Sequence, residues 1–212
     1  MKNIRATAML LCLFALLCPR AAAQGVATGA KHFSDKGLSF DYPPDLSLDD
    51  QSKEGGQVLV LKQEKKSAQI IVFSRFDSIN SPEEFEAARR AVADAYADSM
   101  FEEMKKEAQV ERTNVETRIA GAQAKGTRLR ATLNGVPGNL EVYWVLLGKR
   151  LVVVTLMGPD EEIAELADAW AMFRSSLRVA PAAASKLNAL PDAARLSRAA
   201  APFSLAAARP AV

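Results

Sequence analysis

Cysteine and histidine are scarce in this sequence. Its 212 residues hold two cysteines, Cys12 and Cys18, and one histidine, His32. Zinc sites of the Cys/His type, Cys-His nucleophile pairs and disulfide scaffolds therefore lack their raw material. Long hydrophobic runs are lacking too. The longest uncharged apolar stretch, Ala6 to Leu17, falls short of the roughly 20 residues that span a bilayer. Neither a G-x-S-x-G elbow nor an H-E-x-x-H helix occurs, and a serine nucleophile would have only His32 as imidazole base.

What is present at the start reads as a secretory signal. Lys2 and Arg5 form a basic region before the apolar stretch, and Ala21-Ala22-Ala23 supplies the small residues that a signal peptidase reads. Cleavage after Ala23 is expected, giving a periplasmic or secreted chain. A lipoprotein signal at Cys18 is disfavoured by the bulky Leu17 before it. Both cysteines leave with residues 1–23, so the mature chain is expected to be cysteine-free and indifferent to an oxidising compartment.

The formal charge of +2 belongs to the ends. Residues 24–179 hold 20 basic and 24 acidic side chains, a net of −4, which removes the electrostatic basis for nucleic-acid binding. Residues 24–36 are small and polar and read as a flexible lead-in. Residues 180–212 contain 14 Ala and 4 Pro without a sustained apolar period, a composition that predicts a disordered tail. The domain is expected over 37–179.

Within it, Leu38, Phe40 and Tyr42 alternate with polar residues as a strand that Pro43-Pro44 stops. A polar loop runs through Gly55-Gly56, and Val58–Leu61 and Ile70–Phe73 read as a buried hairpin. Ser81-Pro82-Glu83-Glu84 opens a helix with its cap and N-terminal acids. Phe85, Ala88, Val92 and Tyr96 share a face of that helix, whereas Phe101 falls opposite and Met104 between. Either the helix bends near Ser99 and buries a second stripe, or Phe101 and Met104 form an exposed partner-binding patch.

A meander follows: Val110–Ile119, a turn at Ala120-Gly121, a strand to Leu133, a turn to Leu140–Leu147, then Leu151–Met157. The last two strands are apolar almost throughout and are expected to be covered on both faces. A second helix from Pro159 presents Ile163, Leu166, Trp170, Phe173 and Leu177 as the cover. The fold class is α+β, an antiparallel sheet flanked by helices.

Gly37-Leu38-Ser39-Phe40-Asp41-Tyr42-Pro43, Ile119-Ala120-Gly121-Ala122-Gln123-Ala124 and Leu151–Leu177 resemble the opening strand, central glycine turn and closing strand and helix of the PsbP/DcrB-like family. Its α/β/α sandwich is shared with a Ran-binding nuclear import factor. Asp45-Leu46 and Ser176-Leu177 depart from the family's frequent Gly-Trp and Ser-Phe. The resemblance implies a non-enzymatic module that binds or helps assemble other proteins.

Other patterns have plain readings. Gly121–Thr127 lacks the Lys-Ser/Thr pair of a phosphate loop and reads as a hairpin. Asp41, Asp45, Asp49 and Asp50 lack the spacing of a calcium loop. Arg128 with Arg130, and Arg112 with Glu116 and Arg118, share strand faces suited to cross-strand ion pairs. The expected function is an envelope binding or assembly-assisting module with another envelope protein as partner, no cofactor, no metal, no catalytic residue and an undetermined oligomeric state. The alternative is an envelope hydrolase built on carboxylates, Lys or Ser.

Overall fold

The structure, a computed structural model, describes residues 29–53 and 55–180. The expected signal segment and the tail beyond Ala180 lie outside the described residues. Two antiparallel sheets and two helical layers make up the described chain. The smaller sheet has order β1-β2-β10, from Lys31–Asp35, Leu38–Tyr42 and Arg178–Val179. The larger has order β3-β4-β5-β9-β8-β7-β6, from Leu46–Asp50, Gly56–Gln63, Gln69–Arg75, Val110–Ile119, Ala122–Leu133, Val136–Leu147 and Arg150–Pro159 in chain order. β3 to β5 and β6 to β9 are two meanders joined where β5 pairs β9, with Ile71 opposite Thr155 and Phe73 opposite Val153.

Burial follows from this position. β5 is buried along its whole length and β9 almost so, as their near-continuous apolar sequences require. One face of the sheet packs against α1 (Pro82–Arg89), a π-helical turn (Arg90–Asp94) and α2 (Ala95–Lys105). The other packs against α3 (Asp160–Glu165), α4 (Ala167–Ser176) and the small sheet. This is the helix-flanked α+β sandwich expected from the sequence. No helix among the described residues is long and apolar enough to cross a membrane.

Three local expectations are corrected. The lead-in is ordered from Lys31, because Phe33 stacks on Phe40 at 5.1 Å and His32 meets Asp41 at 2.6 Å across the β1–β2 pair. The polar loop after Pro44 contains β3, whose Leu46 is buried while its Asp49 and Asp50 stay exposed. The first helix changes phase at the π turn, not near Ser99. One extra residue per turn rotates the later stripe, so Tyr96, Ala97, Met100 and Met104 all reach the core. α1 itself starts as read: Ser81 Oγ accepts the Glu84 amide at 3.2 Å.

The closing helix kinks at Leu166, yet its apolar stripe holds. Leu166, Trp170, Phe173 and Leu177 are all buried. Trp170 stacks between Tyr143 and Phe173, each 5.9 Å away. Glu162 on α3 accepts the amides of Ser67 and Ala68 at 2.7 and 2.8 Å, tying the helix to the β4–β5 turn.

Candidate functional site

α1, the π turn and α2 cross the sheet obliquely, touching β9 first, then β8, then β7 and β6. An oblique crossing cannot cover a rectangular sheet face, and the bare corner lies at the end of β8 beside α1. There a groove of about 760 Å³ opens between Phe85, Glu86 and Arg89 of α1 and Trp144, Leu146 and Lys125 of the sheet. Trp144 and Lys125 are cross-strand partners. Leu146 is 42% exposed, one of the largest apolar exposures among the described residues.

Arg89 organises the wall. Its guanidinium lies 5.5 Å from the centre of the Trp144 ring, donates to Glu86 Oε2 at 2.8 and 3.0 Å, and reaches both Asp94 oxygens at 2.9 Å. Its charge is thereby spent, and so is that of Glu86. Lys125 has no ion pair among the described residues; Glu116 stands opposite it on β6, but that carboxylate accepts from Gln123 Nε2 at 2.6 Å. The groove thus offers a half-buried aromatic floor, an exposed aliphatic residue and one uncommitted cation. Its one lining carboxylate is Glu86.

The residues singled out in the sequence lie elsewhere. Met104 is 6% exposed, and Phe101 packs half-buried against the same core with Lys105 5.0 Å and Arg112 5.8 Å from its ring. The pair is therefore not an exposed patch, because the π turn brings the second stripe inward. Asp45, Asp49 and Asp50 are taken up by Gln63, Gln51 and the Ser52 amide. Arg128 pairs across strands with Glu141 at 2.6 Å, the kind of ion pair expected of that face, whereas Arg130 reaches Asp160 at the start of α3 at 2.7 Å. Gly121 turns the β6–β7 hairpin at φ 78°, while Gly126 is a close-packing site whose missing Cβ leaves room for Val142 and Tyr143.

The groove itself was not legible in the sequence. Trp144 sits in an apolar strand that reads as covered on both faces. Only the helix's crossing direction, which no periodicity encodes, uncovers its end.

No family model and no curated protein sequence matches the chain. Solved structures do. The solution structure of PsbP from the cyanobacterium Synechocystis sp. PCC 6803 is 14% identical at a TM-score of 0.46, over 71% of this chain and 92% of that one. LpqN of Mycobacterium tuberculosis, described as involved in cell envelope biogenesis, is 16% identical at a TM-score of 0.40, over 72% and 90%. The likeness concerns the fold alone, and PsbP-like proteins are among the structures to which the chain is similar.

Proposed function

We propose that this chain is a non-enzymatic binding or assembly-assisting module of the bacterial envelope, exported and cleaved after Ala23. In this reading the groove beside α1 holds an apolar, carboxylate-bearing segment of another envelope protein. The carrying observation is the Trp144 floor beside Lys125: the ring supplies apolar area that a partner can desolvate at small entropic cost, and the free ammonium selects an acid. The groove's single carboxylate is held by Arg89, so its lining does not form the two-acid pair that carboxylate-based polymer hydrolysis uses.

A photoreactive residue in place of Leu146, in the native host, tests this. Val136, which is 40% exposed and remote from the groove lining, is the control position. The expected result is a cross-link at 146, absent at 136, to one segment containing apolar and acidic residues, and lost on Lys125→Glu. Equal capture at both positions, or capture indifferent to Lys125→Glu, would overturn the reading. The intact mass of the exported protein tests the processing step.

A further inference from the structure

Among the described residues β6 is an open edge of the seven-stranded sheet; four of its ten residues are charged, but other guards of an edge are missing. Its ten residues pair with β7 without a bulge and include no proline, glycine or lysine. The opposite edge, β3, has only five residues.

The turn fixes where the free backbone groups of β6 point. Ala120 and Gly121 have φ of 53° and 78°, a two-residue hairpin turn closed by the pair Ile119 and Ala122. In such a hairpin the closing pair exchanges both hydrogen bonds, and bonded pairs alternate from there. The odd residues of β6 therefore bond to β7. The N–H and C=O groups of Val110, Arg112, Asn114, Glu116 and Arg118 point away from the sheet.

We propose that this edge pairs antiparallel with β6 of a second copy, about a two-fold axis through Asn114. Such an axis, perpendicular to the sheet, keeps every residue opposite one on the same face, so it must pass through a residue and not between two. Centred on Asn114, it sets the exposed Arg112 against the exposed Glu116 twice, once on each side. Moved to Val115 it sets Arg112 against Arg118; moved to Thr113 it leaves Glu116 against Val110. Charge complementarity thus selects one register of the second copy.

The helical layers leave room for it. On one face α2 covers the Arg112 end of β6, where Asp98 meets Arg112 at 2.6 Å. On the other face α4 covers the opposite end, where Arg174 donates to Thr117 Oγ1 at 2.7 Å and accepts the Ala120 amide at 2.8 Å. The two-fold axis places each covered end beside the bare end of the other copy. This inference is independent of the groove.

Sedimentation equilibrium of the full chain tests it. A reversible dimer is expected, weakened about tenfold or more by Glu116→Arg or by Arg112→Glu, since each places like charges opposite one another twice. The double variant Arg112→Glu with Glu116→Arg restores the dimer. A monomer throughout the micromolar range, a dimer indifferent to Glu116→Arg, or a double variant no better than the singles would overturn the proposal. Amide exchange of the unsubstituted chain gives a second reading: protection at Arg112, Asn114 and Glu116 rises with protein concentration if they pair, and exchange independent of concentration refutes it.

Discussion

Arg89 and Asp94 share a double hydrogen bond although they are five residues apart on one continuous helical run, with both carboxylate oxygens 2.9 Å from the same guanidinium nitrogen. On an ideal α-helix, side chains at that spacing diverge by roughly 140°. The π turn over Arg90–Asp94 closes the angle, with the Ala95 amide reaching back to the Arg90 carbonyl. The same turn rotates α2 so that Met100 and Met104 enter the core. One local irregularity therefore serves both the groove wall and the packing.

Arg89→Ala should uncover Trp144. Both members of the Arg89–Asp94 pair are less than one-third exposed, so the loss is expected to cost about 1 kcal/mol and to shift Trp144 emission to the red. Emission can be assigned against a Trp170→Phe background. An unchanged Trp144 spectrum would show that the cation does not shield the ring.

Trp170→Ala should destabilise the fold by about 3–5 kcal/mol, the usual cost of deleting a large core aromatic. The ring is 9% exposed, stacks on Tyr143 and Phe173, and lies beneath the Arg174 guanidinium at 5.1 Å. Chemical denaturation measures it. A loss under about 1 kcal/mol, the surface range, would remove α4 from the core.

Met104→Ala and Phe101→Ala should separate by burial. The first empties a core position and is expected to cost about 2–3 kcal/mol; the second, half-buried, about 1–2 kcal/mol. Thermal or urea unfolding compares them directly. Wild-type stability in the Met104 variant would contradict the rotated stripe.

Gly126→Ala should cost about 1–3 kcal/mol through overpacking. A Cβ there would lie 2.5 Å from the Val142 carbonyl oxygen and 2.7 Å from the Tyr143 ring. Gly121→Ala meets nothing within 4 Å, so its penalty comes from φ alone. A Gly126 variant as stable as the parent would mean that β7 and β8 separate freely at this pair.

Alkaline pH should loosen the fold through its tyrosines. Burial holds the Tyr96 phenol above the ordinary tyrosine range, and burial together with the Glu141 carboxylate does the same for Tyr143. A folded-state pKa raised above the unfolded value contributes stability that is complete below about pH 10 and is lost as pH rises toward the native value. Tyr143→Phe should therefore flatten the fall of the urea midpoint between pH 9 and 11. Parallel curves for parent and variant would sink this account.

Several features of this chain are local and were legible without coordinates. Ser81 caps α1 because a hydroxyl placed three residues before Glu84 reaches its amide in any helix start of that sequence. The stripe from Leu166 to Leu177, the alternation of Leu38 and Phe40, and the apolar runs of β5 and β9 state which faces must leave water. Scarcity of cysteine and histidine likewise bounds the chemistry before any fold is known.

Other features depend on the angle at which elements cross, and pattern does not carry angles. β3 alternates Leu46 and Leu48 with polar residues over four positions only, too short a period beside Asp49 and Asp50 to separate an edge strand from a polar loop. β1 needed Phe40 as a stacking partner before Phe33 had reason to be ordered. Arg150 follows the turn residues Gly148 and Lys149 in an ordinary hairpin pattern, yet the structure buries it to 6% exposure, with Lys36 O accepting at 2.8 Å and desolvation lowering its pKa. The groove arises the same way: composition put Trp144 and Leu146 in an apolar strand, while the oblique path of α1 across β9 and β8 left their end of the sheet bare. Periodicity reports which side of an element avoids water, and only the packed arrangement decides whether a neighbour is there to cover it.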